Sequence, residues 1–108
     1  RKIFVDKNNY VWALHERQGG ITVFDHNNFS APIQNVNYKI LNKDVGTGNL
    51  ESNSVYSIAE DKDGKIWIGT DAGIRVFYNP TNIFNGGNYD GQPIKIVQDG
   101  NVELLLEK

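Results

Sequence analysis

Cysteine and methionine are both absent from the 108 residues. Without cysteine there is no disulfide framework, no cysteine-built zinc site and no thiol nucleophile, and the redox compartment stays open. A chain that starts at Arg1 and holds no methionine is expected to be a fragment, with any leader, anchor or catalytic domain of its parent outside it. No apolar run approaches the ~20 residues of a membrane helix, so no membrane span is expected in this segment. Positive charge is in short supply as well. Lys plus Arg number 11 against 13 for Asp plus Glu, a net charge of −2, which leaves no basic stripe to neutralise a phosphate backbone and excludes nucleic acid as the expected partner. Helical patterning is also missing, because no stretch between the Gly, Pro and Asn breakers keeps apolar residues at i, i+3, i+4 and i+7.

What is present is a repeat. Ile3 to Phe24 (IFVDKNNYVWALHERQGGITVF) and Ile58 to Phe77 (IAEDKDGKIWIGTDAGIRVF) share Ile3 with Ile58, Asp6 with Asp61, Lys7 with Lys62, Trp12 with Trp67, Gly20 with Gly73, Ile21 with Ile74, Val23 with Val76 and Phe24 with Phe77. The tryptophans lie 55 residues apart and the glycines 53, so the first copy carries two extra residues between Glu16 and Gly19, as a surface loop tolerates. A third pairing sets Tyr38-Lys39-Ile40-Leu41 against Ile94-Lys95-Ile96-Val97. A period in the mid-fifties is somewhat longer than the ~40 to 50 residues of common propeller blades and leaves room for one extra loop.

Each copy reads as strand, tight turn, strand, turn, strand. In the second copy Ser54–Glu60 is the first strand, Asp63-Gly64 the hairpin turn and Lys65–Thr70 the next strand. Asp71-Ala72-Gly73 then leads into Ile74–Asn79, Ile94–Val97 completes the sheet, and Asp99-Gly100 begins a further hairpin into Val102–Leu106. Ile66 and Ile68 point to one face and Trp67 to the other, so both faces demand cover. Sheets apolar on two faces, repeated along an all-β chain, fit blades stacked around an axis. The predicted fold is all-β, a β-propeller fragment of about two four-stranded antiparallel blades. Residues 1–53 form the first repeat with a long outer connection, and 54–108 the second with the start of the next. Propellers close with ~4 to 8 blades, so either the parent chain supplies the others or copies of this chain assemble through their exposed blade faces.

The run Ser52 to Ile74, SNSVYSIAEDKDGKIWIGTDAGI, resembles the two-component-regulator propeller repeat, whose pattern is a V-x-x-I strand, a D-x-D-G turn, a W-I-G-T strand and a following G-I or G-L. The first copy keeps the Asp, Trp and Gly-Gly-Ile marks but has Leu14-His15 in place of Gly69-Thr70. This resemblance implies a periplasmic segment that senses polysaccharide breakdown products in a hybrid two-component regulator. A narrower one rests on Gly73 to Pro80, Ile83-Phe84, Ile94 to Val97 and Val102 to Glu107, which are similar to the propeller-bearing surface component of the type IX secretion machinery. That family is implied to act outside the inner membrane and to help attach secreted cargo to an anionic lipopolysaccharide. Neither family supplies a catalytic motif or a cofactor to carry over.

The chemistry-bearing residues have plainer readings. Asp61-Lys62-Asp63-Gly64 lacks the fifth and sixth positions of a calcium loop, where Lys65 and Ile66 stand, and reads as a turn. His15 and His26 have neither helical spacing nor a carboxylate set for a metal. Trp12 and Trp67 could stack on sugars, but their equivalent places make them core. Gly46-Thr47-Gly48-Asn49 lacks the Lys-Ser/Thr of a phosphate loop and reads as a flexible connection. Asn28-Phe29-Ser30 fits the glycosylation triplet, a pattern common by chance. The marked residues are therefore structural: Asp6, Trp12, Gly20, Asp61, Gly64, Trp67, Gly69 and Gly73. The expected function is a non-enzymatic extracytoplasmic module, periplasmic or at the outer cell surface, binding a protein partner or an anionic glycan in type IX secretion and surface attachment. No cofactor is expected. The loops Glu16–Gly20, Asn42–Ser54 and Asn79–Gln92 would make the contacts. The alternatives are the glycan-sensing segment and a propeller-fold polysaccharide lyase or hydrolase, which would show paired carboxylates or a His and Tyr near one rim.

Overall fold

The computed structural model describes residues 2–15, 17–25, 37–98 and 101–104. Two four-stranded antiparallel sheets account for most of it. The first takes β1 (Lys2–Val5), β2 (Tyr10–Leu14), β3 (Ile21–Asp25) and β4 (Tyr38–Leu41) in chain order. The second takes β5 (Val55–Glu60), β6 (Ile66–Thr70), β7 (Gly73–Phe77) and β8 (Gln92–Pro93), again in chain order, with a one-turn helix α1 (Asn82–Asn85) between its last two strands. A separate hairpin pairs β9 (Lys95–Gln98) with β10 (Asn101–Leu104). The chain is a propeller fragment of two blades.

Register decides which side chains share a face, because cross-strand partners project to the same side. In the first sheet Phe4, Trp12 and Val23 are opposite one another, as are Leu14, Ile21 and Leu41. In the second sheet Ile58, Ile68 and Arg75 are aligned, as are Glu60, Ile66 and Phe77. These two faces meet. Trp12, Leu14, Ile21, Val23 and Leu41 form one core with Ile66, Ile68 and Phe77, each almost wholly removed from solvent. The Trp12 ring meets the Phe77 ring edge-on, centroids 5.9 Å apart and planes at 68°, a geometry worth about 0.5–1.5 kcal/mol beyond its area. Leu50, from the connection between the sheets, and Ile83, from α1, close the margins of this core.

One expected strand is placed differently. Val23 is opposite Lys39 and its repeat partner Val76 is opposite Gln92, so β8, and not Ile94–Val97, is the fourth strand of the second sheet. The match of Tyr38–Leu41 to Ile94–Val97 slips by three residues. In the true register Ile94 stands where Leu41 does, and both are buried, at 7 % and 0 % exposure. Pro93 explains the slip, since it has no N–H to extend the ladder. The strand stops there, and Lys95–Gln98 pairs with Asn101–Leu104 instead. The Asp99-Gly100 turn of that hairpin, and Leu105-Leu106 of its predicted second strand, lie outside the described residues.

Candidate functional site: a rim cleft between two latched blades

Each sheet begins with the same device. The Asp6 carboxylate accepts hydrogen bonds from the amides of Asn8 (2.8 Å) and Tyr10 (3.0 Å) through Oδ1, and from the Trp12 indole Nε1 (2.8 Å) through Oδ2. Asp61 accepts from the amides of Asp63 (3.0 Å) and Lys65 (2.9 Å) and from Trp67 Nε1 (3.0 Å), atom for atom the same. The aspartate thus folds the hairpin and fixes the next strand's tryptophan in one step. A three-residue turn of this kind needs one left-handed residue before the second strand, which is Gly64 (φ 86°) in the second copy and Asn9 (φ 65°) in the first. Asn tolerates that region better than most residues. The Trp67 bond, then the Lys65 and Asp63 amides and the Lys65 charge, hold the Asp61 carboxyl below the usual carboxylate range, against some desolvation.

The other marked glycines lie at the opposite ends of the strands. Gly20 (φ 72°) passes so close to the Leu41 carbonyl that a Cβ would collide with it. Gly73 (φ 143°) follows the two-residue turn after Thr70, whose hydroxyl donates to the Gly73 carbonyl (2.8 Å) and accepts from the Ala72 amide (3.1 Å). Gly69 faces the Ser57 hydroxyl across β5, where an added Cβ would come within 2.5 Å of Oγ.

Two of the three candidate loops serve first to fasten the fold. The Asp90 carboxylate accepts from the amides of Gly46 (2.8 and 3.0 Å) and Gly48 (3.0 Å), and the Gly91 amide donates to the Gly48 carbonyl (2.7 Å). Gly46-Thr47-Gly48-Asn49 is therefore clasped to the outer end of the second sheet, where a free connection was expected. The sequence hid this because it needs a pairing across more than forty residues.

The remaining arrangement is a cleft. Lys2, Leu14, His15, Arg17, Ser54, Val55 and Tyr56 line a space of about 540 Å³ where the two sheets diverge at one rim. Its polar side chains are a lysine, an arginine, an imidazole, a serine and a tyrosine, with no carboxylate among the described lining residues. Lys2 Nζ donates to the Tyr56 carbonyl (2.9 Å) across the gap between the sheets. His15 Nε2 is 2.7 Å from Thr22 Oγ1. Arg17 sits at φ 64° on the turn that carries the two extra residues of the first copy. Nothing along the chain links His15 to Lys2, which precedes it in β1, or to Tyr56 in the next sheet, so the sequence alone gives His15 no site role. His26, Asn28-Phe29-Ser30 and Glu16 lie outside the described residues.

Comparison with known proteins follows the repeat. Residues 49–72 match the family profile described as the two component regulator propeller. That stretch holds the Asp61 latch, the Trp67 strand and the turn to Gly73. It is similar to one repeat of that family. Over 98 % of its length the chain also superposes, at a TM-score of 0.65 and 18 % identity, on PorZ, described as an essential bacterial surface component of the type-IX secretion system of Porphyromonas gingivalis. The chain spans 15 % of PorZ. At that identity the likeness speaks for the fold alone. Among curated proteins none matches the chain. No helix among the described residues is long and apolar enough to cross a membrane, and among them no group of three His, Cys, Asp or Glu side chains could hold a metal ion.

Proposed function

We propose that the chain is a non-enzymatic, extracytoplasmic propeller module, acting in type IX secretion and cell-surface attachment, that grips an anionic glycan or an acidic protein segment at the rim cleft. The observation that carries this reading is the gathering of Lys2, His15 and Arg17 beside Tyr56 in a cleft whose described lining residues include no carboxylate, in a protein whose net charge is negative. Clefts of one sign focus potential and attract the opposite charge. The Tyr56 side chain, 61 % exposed for the residue, offers a flat apolar surface for a sugar ring. The likeness to a secretion-system surface component supports the location and the setting.

The test is binding of polygalacturonate, with neutral dextran as the control, to wild type and to the paired variant Lys2→Glu with Arg17→Glu. Wild type is expected to bind the acidic polymer, to lose it as salt shortens the screening length, and to ignore dextran. The paired variant is expected to bind at least about tenfold more weakly, the equivalent of 1.4 kcal/mol. Equal binding of both polymers, or no loss in the variant, would contradict the reading.

One observation favours a second reading, a polysaccharide lyase, because His15 and Tyr56 line the same cleft. In that chemistry one group removes the proton beside a sugar carboxylate and another protonates the leaving oxygen. His15 Nε2 is already engaged by Thr22 and Tyr56 stands largely in water, so neither is prepared by burial for proton transfer. Release of unsaturated sugar ends from polygalacturonate, abolished by Tyr56→Phe, would establish that reading in place of the first.

A further inference from the structure

Given the rim-cleft function proposed above, on which this rests, we propose that Arg17 is the cleft's specificity-determining residue and that it selects one carboxylate carried on a sugar ring, as in a uronic acid unit. The cations of the cleft are not part of what the blade needs to fold. Lys2 stands where the second sheet has Ser57, and His15 where it has Thr70. Arg17 belongs to the turn whose two extra residues the second copy lacks. The second sheet orders its four strands in the same way without any of the three. All three nevertheless border one space, the cleft of about 540 Å³ between the sheets.

Hydrogen bonding separates the three. Lys2 Nζ donates to the Tyr56 carbonyl at 2.9 Å and so acts as a strut between the sheets. His15 Nε2 is engaged with Thr22 Oγ1 at 2.7 Å. The Arg17 guanidinium makes no hydrogen bond or ion pair among the described residues. Its backbone sits at φ 64°, a left-handed conformation that glycine adopts freely and a long side chain does not. Arg17 is also exposed, so packing gives no reason for an arginine at that place. A residue held in such a region without packing to require it points to a use for its side chain.

The chemistry of the fork names the ligand. A guanidinium presents parallel N–H groups that match the two oxygens of a carboxylate, whereas an ammonium is a point charge. One uncommitted fork takes one planar anion. Around it the cleft is lined by Leu14, Val55 and Tyr56, and an exposed aromatic face covers the apolar side of a sugar ring. A ring that carries its own carboxylate satisfies both surfaces at once. A dense polyanion calls for several free cations, and a flexible acidic peptide brings no ring to the tyrosine.

Titration calorimetry with polygalacturonate, its methyl ester and polyglutamate tests this on wild type, Arg17→Gly, Arg17→Lys and Lys2→Gln, with thermal melting of each. Glycine fits φ 64°, so Arg17→Gly is expected to melt close to wild type. It is expected to bind polygalacturonate at least about tenfold more weakly. Arg17→Lys keeps the charge without the fork and is expected to fall short of wild type too, whereas Lys2→Gln is expected to lose clearly less than Arg17→Gly. The methyl ester, which has the ring without the charge, and polyglutamate, which has the charge without the ring, are both expected to bind wild type more weakly than polygalacturonate. Wild-type affinity in Arg17→Gly or Arg17→Lys, or a loss in Lys2→Gln as large as that in Arg17→Gly, would overturn the role of Arg17 and leave an anionic ligand at the cleft in place. Polyglutamate or the ester binding as tightly as polygalacturonate would overturn the choice of a carboxylated sugar. A folded wild type that binds none of the three would remove the proposed function itself, and this assignment with it.

Discussion

The two sheets carry one latch in two environments. Asp6 and Asp61 make the same three hydrogen bonds, yet Trp12 is sealed beneath Phe77 and Trp67 borders an open hollow. The latch therefore belongs to the repeat itself, and burial belongs to whatever lies against it. The indole of such a strand is set by bonds within its own sheet, and the neighbouring sheet supplies the apolar cover. This division explains why the second copy can keep a clear repeat signature while its outer face remains incomplete.

Removing each tryptophan in turn gives the largest contrast. Trp12→Ala takes a fully buried ring from the core and is expected to cost about 3–5 kcal/mol in urea unfolding. Trp67→Ala is expected to cost less, because its ring is partly exposed to water. Equal losses would mean that the second sheet's outer face is covered within the chain.

A smaller contrast separates the aspartates. Asp6→Ala strands the Trp12 indole N–H and the Tyr10 amide in a buried place and is expected to cost about 3 kcal/mol, whereas water can replace Asp61, so that Asp61→Ala is expected to cost clearly less. Asp61 also adds a small pH effect of fixed sign. Its folded carboxyl is held below the usual range, so its contribution is present above the unfolded value of about 3.9 and is lost as pH falls through the lower folded value. Thermal melting of Asp61→Asn against wild type is expected to show a gap that narrows toward acid below about pH 4. A gap that widens there would contradict the assigned direction.

The legible part of the sequence was whatever the repeat copies locally. Asp6, Trp12, Asp61 and Trp67 fall at matching places because hairpin and indole are joined within six residues. Gly64 was readable because a tight turn demands a left-handed residue, and the opposing directions of Ile66, Ile68 and Trp67 followed from strand alternation. What escaped was set by distance or by one residue's chemistry. Tyr38–Leu41 and Ile94–Val97 look alike as strings, but Pro93 ends the ladder and the buried Ile94 takes the place of Leu41. The clasp of Asp90 on Gly46 and Gly48, and the meeting of Lys2, His15, Arg17 and Tyr56, need the second sheet to fold against the first. No pattern in either segment alone announces them.

The account stands on the claim that Trp faces cover Phe faces, and Phe77 and Phe24 test it most directly because they hold one repeat position with and without a partner in the chain. Urea unfolding of Phe77→Ala and Phe24→Ala should be compared. Phe77→Ala is predicted to lose about 3–5 kcal/mol as a core ring, and Phe24→Ala no more than about 1 kcal/mol as a ring on the unpartnered face. Comparable losses from the two substitutions would show that Phe24 is already covered, and the claim that only the Phe77 face is covered within the chain would be wrong.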